Sequence, residues 1–227
     1  MYNQKDNKAR FMAILGLLVG VVGLSLGFAA FSNTLTIKSS AEVTVDDSVF
    51  NVDFSTNSST VDDSDITPTL SPTGVSGFTA TNAEIDNDNG DAVVKNLHAT
   101  FTAPGQEVTY NFYTKNAGEL KAFLKSVTFS NVSGESTTKV CTPKTGATAS
   151  LVNSACTGIT LTVTVGSEDF TATTLRSAFA TATAHDLNKN GSEAVTVRIA
   201  YETGSTVTDG GFDVAFGDVT LLYSSAE

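Results

Sequence analysis

Tryptophan is absent from this 227-residue chain, and histidine, cysteine and proline are scarce. The two histidines, His98 and His185, are far apart in sequence, and neither has a partner at H-E-x-x-H spacing. That spacing sets two imidazoles and a general base on one helical face, so its absence argues against a zinc peptidase. Beyond the N-terminal apolar run there is no G-x-S-x-G elbow, and no Walker-type phosphate loop or Cys-x-x-Cys pair occurs. No enzyme class has a motif here. Basic residues are also few, with 13 Lys and Arg against 24 Asp and Glu and a net charge of −11. Lys5, Lys8 and Arg10 all precede the apolar run, so the rest of the chain is more acidic still. A nucleic-acid partner is excluded, because its phosphates are held mainly by Lys and Arg.

The two cysteines are Cys141 and Cys156. An exported chain meets oxidising conditions, so a disulfide between them is the expected state, with two free thiols as the alternative.

Export is expected from the N-terminus. Residues 1–10 are polar and basic, residues 11–31 are apolar throughout, and small residues close the run at Ala29-Ala30. This is the layout of a signal peptide, with cleavage after Ala30 leaving Phe31 first. The run is also long enough to span a bilayer uncleaved, with the cations keeping the N-terminus inside. Either way the body is extracellular or at the cell surface. Without a sorting signal or apolar tail before Glu227, attachment is expected from the N-terminus or from assembly.

The remaining chain is rich in Ser, Thr, Val and Phe, residues that suit a half-buried pleated surface. Apolar residues alternate at Leu35/Ile37, Val43/Val45, Phe50/Val52/Phe54, Leu97/Ala99/Phe101 and Val108/Tyr110/Phe112. The alternation continues at Leu120/Ala122/Leu124 and reverses parity at Val127/Phe129, which predicts a bulge near Lys125. Ile159 to Val165, Val195 to Tyr201, Phe212 to Phe216 and Val219 to Tyr223 follow, with a parity switch at Gly217. Residues 55–77, 84–91 and 131–157 read as turn-rich loops, and 170–184 as the one short helix, with Leu175 and Phe179 four apart. The fold class predicted is all-β, a jelly-roll-like β-sandwich with one short helix, preceded by an N-terminal apolar signal or anchor segment. The organisation expected is 1–30 as signal peptide or anchor, 31–54 as N-terminal strands and 55–227 as the sandwich.

No cofactor is required, although calcium has two candidate loops. Asp186, Asn188 and Asn190, followed by Gly191, match the first half of a calcium loop, whose alternate oxygens wrap one ion. The twelfth position is Val197, so the closing carboxylate is missing. The second cluster, Asp86, Asp88 and Asp91, lacks the glycine in register.

Two stretches resemble the camelysin/TasA family of exported bacterial proteins. One is Gly27-Phe28-Ala29-Ala30-Phe31-Ser32-Asn33, similar to the Ala-Ala-Phe junction that a dedicated signal peptidase processes there. The other is Pro104-Gly105-Gln106, Phe112, Asn116, Gly118, Leu120 and Ala122: a Pro-Gly turn, a strand, an Asn-x-Gly turn and a strand beginning at Leu120. Read without the family, the second stretch is a hairpin with Val108, Tyr110 and Phe112 facing the core. The resemblance implies a jelly-roll subunit of biofilm-matrix fibres, whose partners are other copies of itself, a signal peptidase and, before cleavage, the membrane. In that mode residues 31–37 leave their own domain and add a strand to a neighbour, anchored by Phe31, Leu35 and Ile37. Some members are assigned as metallopeptidases, an activity for which this chain lacks the motif. The alternatives are pairing of residues 34–37 within their own sheet, a pilin-like subunit that retains its apolar helix, and a membrane-anchored binding module that does not polymerise.

Overall fold

The computed structural model describes residues 49–87, 92–171 and 185–225. Ala29, Ala30, Phe31, Leu35 and Ile37 lie outside the described residues, as do Asp88, Asp91 and positions 172–184 of the expected helix.

The described chain is all-β, built of curled antiparallel sheets with one short helix. The first sheet runs β1 (Val52–Ser55), β7 (Glu107–Asn116), β13 (Ser192–Tyr201), β10 (Ile159–Val165), β11 (Glu168–Thr171), and β2 (Thr69–Ser71) also pairs with β7. The second runs β12 (Asp186–Leu187), β8 (Ala122–Phe129), β15 (Val219–Ser224), β5 (Val93–Lys95), β4 (Glu84–Asp86). The third runs β3 (Thr79–Ala80), β6 (His98–Phe101), β14 (Phe212–Phe216), β9 (Lys139–Pro143).

Strand periodicity sets the core. In β10, Ile159, Leu161, Val163 and Val165 are buried while the intervening threonines are half-exposed, as successive side chains of a strand must point to opposite faces. Rings from different sheets meet inside. Tyr201 of β13 makes edge contacts with Phe101 of β6 at 6.0 Å and Phe212 of β14 at 5.4 Å. Tyr110 of β7 donates its hydroxyl to Thr81 O at 3.0 Å, and Tyr223 of β15 donates to Thr114 Oγ1 at 3.2 Å. A buried aromatic with a polar tip contributes both area and a directed bond.

The parity changes have structural causes. Across β8 and β15, Leu222 faces Ser126 and Tyr223 faces Leu124, so Lys125 is the extra residue of a bulge. At Gly217 the chain passes from β14 in one sheet to β15 in another, and a Cβ there would stand 2.0 Å from Ser130 O.

Four expectations are corrected. The stretches read as loops are not all loop: 55–77 holds β2, 84–91 holds β4, and 131–157 holds β9 and the helix α1 (Ala149–Cys156). The helix expected from 170 does not start there, since Phe170 and Thr171 pair with Val163 and Thr162 in a β10–β11 hairpin. The Asn116–Gly118 turn does not close a hairpin: β7 and β8 belong to different sheets, and β8 starts at Ala122, not at Leu120. Finally, a boundary between 54 and 55 cuts through β1, whose four residues are buried and pair with β7.

Candidate assembly site

The Asn116–Leu120 crossover holds the segment Val49–Asn51. Ala117 and Gly118 donate their N–H groups to Asn51 O at 2.9 and 3.2 Å, and Glu119 and Leu120 donate theirs to Val49 O, each at 3.0 Å. Gly118 has no room for a side chain, because a Cβ would lie 2.6 Å from Asn51 N and 2.8 Å from Phe50 Cα. Asn116, fully buried, organises the crossover. Its Nδ2 donates to Leu120 O at 2.7 Å and Leu187 O at 2.9 Å, and its Oδ1 accepts from Gly118 N at 3.0 Å. A buried amide satisfied this fully fixes three chain segments at once.

The same asparagine ties down the expected calcium loop. Asn116 N donates to Gly191 O, and Asn190 N donates to Asn116 O. Asn190 adopts φ 61°, and Gly191 N returns to Asn188 O at 2.7 Å, so this segment is a tight turn into β13. Asp186 is ion-paired with Lys121, and that hydrogen bond holds its carboxyl below the usual carboxylate range. Lysine thus occupies the charge a cation would use. Asp86 of the second cluster is likewise ion-paired, with Lys95. Among the described residues no three His, Cys, Asp or Glu side chains gather to hold a metal.

Sheet edges decide where another strand can add. The outer edge of β1 is closed by Asn87, whose Oδ1 accepts from Phe54 N at 2.8 Å while its Nδ2 donates to Phe54 O at 2.9 Å. Next to it Asp62 accepts from Thr56 N at 3.0 Å. The helix α1 packs beside the edge strand β9 and is clipped at both ends. At its start Thr148 donates its N–H and hydroxyl to the Asp209 carboxylate, and these bonds hold that carboxyl below its ordinary range. At its end a disulfide joins Cys156 to Cys141 of β9, with Cα atoms 6.0 Å apart. Lys139 completes the clip by donating Nζ to Cys156 O at 2.7 Å and Ile159 O at 2.6 Å. A cation is well placed at a helix C-terminus, where carbonyls lack partners. Burial holds the Lys139 ammonium below the usual lysine range.

Beyond this clip lies a half-open seam of about 530 Å3 between β9 and the start of β10, lined by Lys139, Thr157, Ile159, Leu161 and Phe216. Among the described residues β11 covers only Thr162–Val165 of β10.

Comparison with protein-family models, with curated proteins and with solved structures returns no match.

The histidines occupy separate places. His98 lies in β6, whereas the buried His185 ring has Nδ1 2.9 Å from Glu193 Oε1 and Nε2 3.2 Å from Glu168 Oε2. A carboxylate oxygen thus lies within hydrogen-bond distance of each ring nitrogen, and both nitrogens are engaged inside the fold. Asn87, Lys139 and Asp209 had no sequence signal, since each works through a partner far away in the chain.

Proposed function

We propose that this chain is an extracellular structural subunit that polymerises into surface or biofilm-matrix fibres. Its curled sheets are read as a jelly-roll-like β-sandwich, exported on the apolar segment 1–30. After cleavage behind Ala30, residues 31–37 of one copy add as a strand to the next, with Phe31, Leu35 and Ile37 as side-chain anchors. The reading needs no enzyme activity, metal or nucleic acid.

The observation that carries it is the clamp on Val49–Asn51 beside the edge strand β1. The described body is anchored at that point, and 11 residues of sequence separate Ile37 from Val49. Fully extended, that length of chain would reach roughly 36–40 Å, about the diameter of a domain of this size. That is enough to lay the following anchors against a second copy. The seam beside Lys139 is the acceptor this reading selects.

N-terminal sequencing of exported protein, followed by electron microscopy, tests it. The expected result is Phe31 at the N-terminus and fibres, with Phe31→Asp, Leu35→Asp and Ile37→Asp together leaving monomers. A processed chain that remains monomeric ends the proposal. An intact Met1 on a monomer supports instead a membrane-anchored binding module, the second reading, favoured by the open polar cleft described next.

A further inference from the structure

Two strand lines bend at the same level of the fold. One is β5 to β6, turning at Asn96 with φ 60°, and the other is β14 to β15, turning at Gly217. Between these bends is an open cleft of about 800 Å3, walled by the residues between β3 and β4 and by those following β8. Its volume falls among those of small-ligand sites.

The lining has an unusual charge pattern for so acidic a chain. Asn82, Asn96, His98, Asn131 and Ser133 are the polar groups that matter, and Asp218 is the only carboxylate among the described residues. Among the described residues no lysine or arginine lines the cleft. Lys95, the cation that senses Asp218, is ion-paired with Asp86. The side chains of Asn82, His98, Asn131 and Ser133 make no hydrogen bond to other described residues, in contrast to the fully engaged Asn116 and Asn87. Asn96 spends one donor on Glu84 Oε2 at 2.8 Å and keeps its oxygen.

This chemistry selects a ligand. Among the described residues a phosphate, sulfate or carboxylate would find no lysine or arginine, and a cationic ligand would find one carboxylate at most. Amides, a hydroxyl and an imidazole each offer a donor and an acceptor, or both. A sugar ring presents adjacent hydroxyls with the same dual character, and its C–H face suits the aliphatic surface of Val132 and Ala215. We propose that this cleft binds a neutral saccharide chain. The inference is independent of fibre formation, because it uses only the outer face of one subunit.

Isothermal titration of the full chain, held in a sugar-free detergent such as lauryldimethylamine oxide, tests the assignment. The probes are chitohexaose, maltohexaose and cellohexaose, with a sulfated hexasaccharide as the anionic control. At least one neutral hexasaccharide is expected to bind, and Asn82→Ala with Asn131→Ala to weaken that binding by about tenfold or more. Ser150→Ala, on the exposed face of α1, is expected to change nothing. Three results overturn the proposal: no neutral probe binding at about 10 mM, binding confined to the sulfated control, or binding indifferent to the paired cleft substitution. All the substituted side chains are exposed, so folding is not at stake.

Discussion

Asn87 pairs with the backbone of Phe54 as a neighbouring strand would, accepting from its N–H and donating to its C=O. An unpaired sheet edge is a template for another chain, and proteins block such edges. Asn87→Ala uncovers both groups, which is expected to cost about 1–2 kcal/mol in urea unfolding. It also frees the β1 edge, so light scattering of the variant is expected to show association that the parent lacks. Unchanged stability together with an unchanged particle size would remove the blocking role.

Gly118 tests the clamp on the N-terminal segment. The atoms a Cβ would meet are Asn51 N, Phe50 Cα and Val49 O, all backbone, so no side chain can swing aside. Gly118→Ala is expected to destabilise by about 1–3 kcal/mol, as overpacked sites do. For a body of this size that is a fall of roughly 2–4 °C in Tm per kcal/mol. Limited proteolysis is expected to cut near residue 50 before the rest of the body. A variant as resistant as the parent at that point would show that the crossover does not hold the segment.

The disulfide and Lys139 hold the same helix end, so their effects are expected to be coupled. Joining residues 15 apart stabilises by about 3 kcal/mol in the loop-closure account. Reduction is expected to cost that much, with amide exchange rising mainly across Ala149–Cys156. Lys139→Met leaves two carbonyls without their donor and is expected to cost about 1–3 kcal/mol. With the disulfide reduced, the Lys139→Met penalty is expected to shrink, since the helix end is already loose. Strictly additive effects would refute a shared clip.

Much of the sheet structure was legible, for a physical reason. Alternation reports on one strand at a time, so Ile159 to Val165 and Val195 to Tyr201 read correctly without knowledge of their neighbours. The parity change at Lys125 and the switch at Gly217 are local for the same reason. Which sheet a strand joins is not local. The Asn116–Gly118 turn has hairpin chemistry, yet its asparagine spends its amide on Leu120 and Leu187, and the chain crosses between sheets. The helix α1 was hidden because it buries only Val152 and Ala155, and its remaining support comes from Asp209, Lys139 and Cys141. No period within eight residues can report such partners.

Alkaline pH offers a test of the core. Burial pushes the Tyr110 phenol up to about 12, and burial raises Tyr223 as well. A phenol whose folded value exceeds its unfolded value of about 10 stabilises the fold fully below pH 10. That contribution is lost as pH rises through the folded value, because the unfolded chain releases its proton first. For Tyr110 the loss between pH 10 and 12 is about 2–3 kcal/mol. Tyr110→Phe is expected to be about 1 kcal/mol less stable at pH 7, having lost the bond to Thr81 O, but to fall less steeply above pH 10. Urea unfolding at half-unit steps from pH 9 to 12 resolves the two slopes. Equal slopes would mean that the Tyr110 hydroxyl reaches water, and that the sheets do not close over it.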